Sequence, residues 1–130
     1  MGLWVVYRQS ITMADIFRDI FLAFIRVHLL HHAEEGPIYG LEMLRELARH
    51  GYDLSPGTLY PVLHGLEKAG YLVSEQQTVQ GKIRKYYNIT ESRRAALALL
   101  RPKIHELVNE VVGKPERPMP VSVAQAEAEG

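Results

Sequence analysis

The side chains with the most distinctive chemistry in this sequence are cations gathered between residues 82 and 103. The formal net charge of the 130-residue chain is zero, but this stretch holds a single acid, Glu91. A local group of cations can bind phosphate even where the charges of the whole chain cancel. We therefore expect a polyanionic partner. The cations are Lys82, Arg84, Lys85, Arg93, Arg94, Arg101 and Lys103.

The sequence lacks the residue patterns that are typical of catalysis. The chain has no Cys, so it offers neither a thiolate nucleophile nor a Cys-based metal site. It also has no glycine-rich phosphate loop after a predicted strand, no paired carboxylates and no convincing Ser/His/Asp arrangement. We predict that the protein is not an enzyme and that it has no cofactor.

Three histidines lie near the end of the first predicted helix. His28 and His32 are four residues apart, a spacing that lets two imidazoles bind one metal ion, and His31 lies between them. Further ligands are not evident from the sequence. We therefore favour histidines at a subunit interface and predict no metal site.

The segment SPGTLYPVLHGLEKAGYL combines helix breakers with a helical apolar pattern. Ser55 suits the N-cap and Pro56 the first helical position. The ring of Pro61 presses on the carbonyl of Gly57, which adapts most easily because it has no side chain. Gly70 ends the helix. The predicted apolar face consists of Leu59, Val62, Leu63, Leu66 and Ala69.

The remaining elements complete an order of three helices, a hairpin and a last helix. Thr12 is expected to cap the first helix and Thr90 the last, which Pro102 should kink or split. This order predicts a mainly α (α+β) fold, a winged helix-turn-helix with a two-stranded wing and flanking dimerisation helices. The helices are predicted at about 14–33, 38–50 and 55–70, the strands at 71–78 and 83–89, and the last helix after residue 90.

Two predicted helices carry more apolar surface than one small domain needs. The first has two apolar stripes, which suggests its own core on one side and a second subunit on the other. The last helix follows the spacing of a coiled-coil seam. The stripe assigned to the core contains Ile16, Ile20, Ala23, Val27 and Leu30, and the other contains Phe17, Phe21, Phe24 and the ring of His28. The second predicted helix should bury Leu41, Leu44, Leu47 and Ala48. The predicted homodimer interface contains Phe17, Phe21, Phe24, Leu97, Leu100, Ile104, Leu107 and Val111.

The chain divides into four predicted segments. No stretch is long and apolar enough to cross a membrane, and the apolar run near the N-terminus is too short for a signal peptide. We expect a cytoplasmic protein without membrane contact. The segments are an N-terminal extension (1–12), a winged-helix DNA-binding domain (13–90), a C-terminal dimerisation helix (91–113) and a disordered tail (114–130).

Three stretches, IYGLEML (Ile38 to Leu44), GTLYPVLHGLEKAGYL (Gly57 to Leu72) and GKIRKYYNIT (Gly81 to Thr90), resemble the PadR family of bacterial transcriptional regulators in order and spacing. The resemblance implies a winged-helix homodimer that binds a palindromic operator in double-stranded DNA, usually as a repressor. It also implies that a small aromatic effector can release the DNA. The short last helix resembles the smaller subfamily, whose dimer is built from the first and last helices.

On this resemblance, the third helix enters the major groove and the wing contacts the minor groove or flanking phosphates. Tyr39 lies near the DNA backbone in the family, although packing beneath the third helix is a comparable alternative. Ser55 is expected to cap the helix, with DNA contact as an added role, and packing on the hairpin is the alternative for Tyr60. The predicted DNA-binding residues are Tyr39, Ser55, Gly57, Thr58, Tyr60, His64, Lys68, Lys82, Arg84 and Lys85.

The alternative function is a winged-helix protein-interaction module that does not bind DNA. Such a module predicts acidic or apolar residues on the third helix and the wing, and the cations of the wing count against it. The effector remains a separate hypothesis, because the phenylalanines of the first helix and Leu100 could hold an aromatic molecule or simply fill the dimer interface.

Overall fold

The computed structural model describes the backbone of residues 3–113 and the side chains of residues 15–113. The predicted tail, 114–130, lies outside the described residues. The described part contains four helices and three strands in an order that confirms the predicted mainly α winged helix. They are α1 (Leu3–Glu35), β1 (Ile38–Tyr39), α2 (Gly40–Arg49), α3 (Pro56–Lys68), β2 (Leu72–Val79), β3 (Lys82–Ile89) and α4 (Glu91–Val111).

Helix α1 begins at Leu3 and not near Ala14. Thr12 therefore lies inside the helix, and its predicted role as an N-cap is wrong. The sequence from Leu3 to Glu35 contains neither Gly nor Pro, so nothing in it stops the helix before the Gly36-Pro37 pair. Within the described residues, no helix is both long and apolar enough to cross a membrane.

The core-facing stripe of α1 differs from both predicted stripes. Ile25, Leu29 and Ala33 are at most 3% exposed. Of the predicted core stripe, Leu30 is buried, but Ile16 and Ile20 are 53% and 42% exposed. Apolar residues surround most of this helix, so periodicity alone could not select the buried side. Only packing against the other elements selects it.

Helix α2 is shorter than predicted because Ile38 and Tyr39 form a strand that pairs with β3. The buried face of α2 contains Met43 and Leu47, while the predicted core residue Leu41 is 47% exposed. The predicted burial of Ala48 is also wrong. The apolar residues of α2 occupy adjoining stripes, and the packing of the helix uses the stripe that contains Met43.

The three strands form an antiparallel sheet in the order β1-β3-β2. Strands β2 and β3 and the turn between them form the wing. The turn residues Gln80 and Gly81 have φ angles of 50° and 76°, as expected for a type I′ hairpin. Tyr87 is 1% exposed, so it is the core residue of the Tyr86-Tyr87 pair.

Helix α3 begins after Ser55 and buries the predicted apolar face, except that Ala69 is exposed. After α3, Gly70 has a φ of 84°, which favours glycine. Thr90 joins this helix end to the start of α4, because its hydroxyl donates to the carbonyl of Gly70 at 2.7 Å and its N–H donates to that of Tyr71 at 3.0 Å. The buried residues of α3 are Leu59, Val62, Leu63 and Leu66.

The chain separates into two compact units between Leu97 and Ala98. Leu97 is 3% exposed in the protomer itself, so it belongs to the core of the first unit and not to the predicted dimer seam. Helix α4 runs through Pro102 without the predicted split. A proline lacks one backbone donor, but a helix can continue past it with one hydrogen bond fewer.

Candidate nucleic-acid interface

The side of α3 that faces away from the core is exposed and mostly polar. Tyr60 is 39% exposed, and Gly57, His64 and Lys68 are also exposed. The apolar face of the same helix is at most 8% exposed. The structure therefore brings together four of the predicted DNA-binding positions on one helix face.

The start of α3 differs in detail from the predicted cap. Ser55 occupies the N-cap position, and its carbonyl accepts hydrogen bonds from the N–H groups of Thr58 and Leu59 at 3.0 and 3.1 Å. Among the described residues, however, its hydroxyl makes no capping bond and lies 3.3 Å from the hydroxyl of Thr58. Both hydroxyls therefore remain near the positive end of the helix dipole, where anions are favoured.

Gly57 lies beside these hydroxyls in open space. A β-carbon built there would have one described neighbour within 4 Å, the Ser55 hydroxyl oxygen at 3.7 Å. The fold therefore does not require glycine for lack of room at this position. A ligand that approaches the backbone closely at this position would be a reason for glycine. No such close approach occurs within the described protomer.

Tyr60 packs on Gly40, the first residue of α2. A β-carbon built at Gly40 would lie 2.6 Å from Cε1 and from the hydroxyl oxygen of Tyr60. The missing side chain at Gly40 therefore makes room for the Tyr60 ring. This contact explains why the Tyr39-Gly40 pair and the GTLYP motif occur together.

Tyr39 joins the same region to the wing. Its ring centroid lies 5.4 Å from that of Tyr86, and the guanidinium carbon of Arg84 lies 4.7 Å from the Tyr39 centroid. A hydrogen bond with the Tyr86 side chain raises the pKa of Arg84, and the electrostatic effect of Tyr39 adds to this. Tyr39 thus packs against β3, and the charged guanidinium of Arg84 lies over its ring in the half of the wing nearer the turn.

Lys85 points to the opposite side of β3. Its Nζ lies 3.6 Å from Glu67 Oε1 and 5.3 Å from the centroid of the Tyr87 ring. Glu67 also accepts hydrogen bonds from the Ser74 N–H, at 3.0 Å, and from the Ser74 hydroxyl. The Ser74 hydroxyl first, and then Lys85, lower the pKa of Glu67. Lys85 is therefore part of an ion-paired link between α3 and the sheet.

The tip of the wing carries a cation without such a partner. Lys82 is exposed, and it forms no ion pair among residues 15–113, whose side chains the structure describes. The next residue, Ile83, is 72% exposed. Of the three cations predicted on the wing, Lys82 and Arg84 are thus available to an anion, and Lys85 is already paired.

Two further cations of the basic stretch are used locally. The guanidinium of Arg93 lies 4.9 Å from the centroid of Tyr71. Arg94 lies 3.6 Å from Glu91 and donates to the carbonyl of Glu34 at 3.3 Å. Both side chains therefore hold the first turn of α4 against its neighbours within the first unit.

The residues of the predicted dimer interface on α1 form an uncovered apolar face. Phe17, Phe21 and Phe24 are between 44% and 51% exposed, and the rings of Phe17 and Phe21 stack with centroids 6.3 Å apart. Ile16 and Ile20, which the sequence assigned to the core, extend this face.

The part of α4 beyond Leu97 is also apolar. Leu107 and Val111 are 51% and 72% exposed, and Leu100 and Ile104 are partly exposed. Leu99 and Val108, which the seam pattern did not include, are 76% and 43% exposed. The apolar surface of this segment is thus wider than the predicted seam.

A second polar cluster lies where α1 meets the end of α2. His50 joins His28 and His32, and ligand atoms of the three imidazoles lie within 4.8 Å of one another. Burial first, and then the neighbouring histidines, lower the pKa of His28. The sequence did not reveal His50 as a member, because it lies at the end of another helix, far away in the sequence.

The profile of the family described as "Transcriptional regulator PadR-like family" matches residues 29–99, more than half of the chain. These residues include Tyr39, Gly40, the GTLYP motif and the whole wing. The chain belongs to the PadR-like family of transcriptional regulators. This family consists of regulators and not of enzymes, in agreement with the prediction from sequence.

Relatives of this PadR-like chain support the assignment. It is 49% identical over 96 residues to the transcriptional regulator Rv3488 of Mycobacterium tuberculosis, covering 74% of this chain and 90% of the relative. A PadR family regulator from Eggerthella lenta is 30% identical with a TM-score of 0.60, covering 78% and 93% of the two chains. A PadR-like transcription factor from Bacteroides fragilis is 26% identical with a TM-score of 0.64, covering 75% and 95%.

Proposed function

We propose that this PadR-like regulator binds a palindromic operator in double-stranded DNA as a homodimer and represses transcription from it. The surface responsible is the exposed face of α3 together with the wing. One observation supports this proposal above the others. Tyr60 contacts Gly40, and the adjacent Tyr39 contacts Arg84, so these contacts connect the face of α3 to the half of the wing nearer its turn.

The chemistry of this surface suits a duplex. The first turn of α3 offers two hydroxyls and a glycine, and side chains further along can donate to base edges or sugars. Tyr60 and His64 are the candidates for reading bases, and Lys68 lies one turn beyond His64. Lys82 and Arg84 bring positive charge to flanking phosphates or to the minor groove.

A homodimer accounts for the exposed apolar side chains of α1. Soluble monomers rarely expose contiguous apolar patches of this kind without a partner. The phenylalanines of α1 and, taken separately, Leu107 and Val111 of α4 are the surfaces that a second copy would cover. A two-fold dimer presents two copies of α3, and a palindromic operator has the same symmetry.

Selection of bound fragments from a random DNA pool tests the function directly. The proposal predicts an enriched consensus with two-fold symmetry and a half-site spacing of about one helical turn. If the selection enriches no sequence, or only an asymmetric one, the proposal is contradicted. Analytical ultracentrifugation of the protein and of Phe21→Glu tests the dimer separately, because a charge on this face should shift the dimer towards monomers.

Release of the operator by a small aromatic effector is part of the same proposal. The stacked rings of Phe17 and Phe21, with Tyr52 6.5 Å from Phe21 in an edge-on arrangement, could receive a flat molecule. Calorimetry with phenolic acids and planar drugs tests this step, with Phe21→Ala as the matched variant. Absence of heat across a broad panel would remove the effector and leave DNA binding unaffected.

A further inference from the structure

Three imidazoles converge where α1 meets the end of α2. His28 and His32 lie one turn apart on α1, and His50 follows the last residue of α2. Each offers a ring nitrogen, and these nitrogens lie within 4.8 Å of one another. The ring centroids of His28 and His50 are 4.9 Å apart. Imidazoles from two regions of the chain thus point into one small space.

A carboxylate lies beside two of the three imidazoles. Glu46 Oε1 lies 3.2 Å from Nε2 of His50 and 3.7 Å from Nε2 of His32. The other oxygen, Oε2, accepts a hydrogen bond from Arg49 at 3.0 Å. Arg49 therefore fixes the orientation of the carboxylate and leaves Oε1 directed towards the imidazoles, as the hydrogen-bond partners of metal ligands do.

We propose that His28, His32, His50 and Glu46 bind one divalent transition-metal ion, with Zn²⁺ as the first candidate. Three imidazole nitrogens and one carboxylate oxygen are ligands that Zn²⁺ accepts in tetrahedral geometry. The nitrogens around such an ion lie about 3.4 Å apart for Zn–N bonds near 2.0–2.1 Å. Small rotations of the side chains close the remaining distance, since His50 is 46% exposed.

Ion pairing alone explains only part of this arrangement. The contacts of Glu46 with Arg49, His32 and His50 would account for a cluster of cations around one acid. None of these contacts is with His28, whose ring lies beside those of His50 and Tyr52. Two protonated imidazoles at that distance would repel each other. One metal ion could instead bind a ring nitrogen of each of the three imidazoles in its neutral form.

Metal binding at this position would join α1 to the end of α2. A ligand that binds only the folded chain raises its apparent stability. We therefore expect Zn²⁺ to raise the midpoint temperature of unfolding, measured by circular dichroism, and a chelator to reverse the increase.

The direct test uses tag-free full-length protein treated with a chelator and then dialysed. Isothermal titration with Zn²⁺ should give one ion per chain, and Co²⁺ should give the intense visible absorption of a four-coordinate site. These measurements contain no DNA, so their outcome is independent of the proposed operator binding. Failure to bind Zn²⁺, or a weak octahedral Co²⁺ spectrum, would overturn the proposal.

Single substitutions identify the ligands. His50→Ala should weaken Zn²⁺ binding at least about 100-fold, since loss of a residue that only supports a ligand already costs about 10–100-fold. Arg49→Ala should weaken it about 10-fold by releasing Glu46. His105→Ala, an exposed histidine on α4, is the matched control and should bind like the parent chain.

A competing cluster provides the decisive comparison. His31, His32 and Glu35 also have ligand atoms within 4.8 Å of one another. His31→Ala should leave Zn²⁺ affinity unchanged. If His31→Ala abolishes binding and His50→Ala does not, while both variants keep the helical spectrum of the parent, the proposed ligand set is wrong.

Discussion

Arg84 and Lys85 are adjacent cations on β3, but they face opposite sides of the strand and contact different groups. Arg84 lies over the ring of Tyr39, an uncharged partner that leaves its positive charge available. Lys85 lies 3.6 Å from Glu67, a carboxylate that neutralises it. Membership of a basic stretch therefore does not determine whether a residue's charge is available to bind DNA. The group that the side chain contacts determines whether the charge is available.

The largest loss of DNA affinity should follow from removing both available cations of the wing. Lys82→Ala/Arg84→Ala should weaken binding to all duplexes, operator or not, by about 100-fold, because the proposed dimer would lose four cations near phosphates. Fluorescence anisotropy with operator and scrambled duplexes measures this. If operator affinity stays at the parent value, the wing does not contact DNA.

Tyr60→Ala should weaken operator binding about 10-fold, with a smaller effect on scrambled DNA, because we propose that this side chain on the face of α3 reads sequence. Tyr60→Phe is the control that keeps the ring over Gly40 and removes only the hydroxyl. Equal losses on operator and scrambled duplexes would assign Tyr60 to a purely structural role.

Gly57→Ala should reduce operator affinity about 5-fold while the unfolding midpoint stays near that of the parent, because a β-carbon has room in the protomer but would obstruct a close ligand. Thermal unfolding and anisotropy of the same preparation measure both quantities. A variant with full operator affinity would show that DNA does not approach the backbone at this position.

Gly40→Ala should act through Tyr60 and produce a somewhat smaller loss, about 3-fold, because the new methyl group displaces an exposed ring that can move. The double variant Gly40→Ala/Tyr60→Ala should then bind no worse than Tyr60→Ala alone. Additive losses in this cycle would mean that the two residues contribute independently.

Lys85→Ala should have the smallest effect on DNA, less than about 2-fold, since its charge is already paired with Glu67. Its effect should fall on the packing of the wing against α3, which hydrogen exchange of β2 and β3 can detect. A loss of DNA affinity as large as that of Arg84→Ala would contradict the difference between the two residues.

The local features of the fold could be predicted from the sequence because each depends on a few neighbouring residues. Ser55 and Pro56 mark the start of α3, Gly70 follows its end, and Gln80-Gly81 forms the turn of the wing. The buried side of α1 could not be predicted, since apolar residues lie on several sides of that helix. Packing against the sheet and the other helices selects Ile25 and Leu29.

The same limit of sequence-based prediction applies to the candidate nucleic-acid interface and to the histidine cluster. The sequence indicated which side chains carry charge or hydroxyls, but not which partners they meet. Glu67 neutralises Lys85 from another element, and Tyr60 fills the space left by Gly40. His50 joins the histidines of α1 from the end of α2. Each of these contacts joins residues that are distant in the chain, so no local pattern reveals it.

The most direct test of the central claim is the salt dependence of operator affinity for Arg84→Ala and Lys85→Ala, measured side by side. The slope of log K against log salt should become shallower by about 0.9 for each phosphate that the protein no longer neutralises, or about 2 for an Arg84→Ala dimer. Lys85→Ala should keep the parent slope. Equal slopes for the two variants, or a larger change for Lys85→Ala, would contradict the account of how this surface meets DNA.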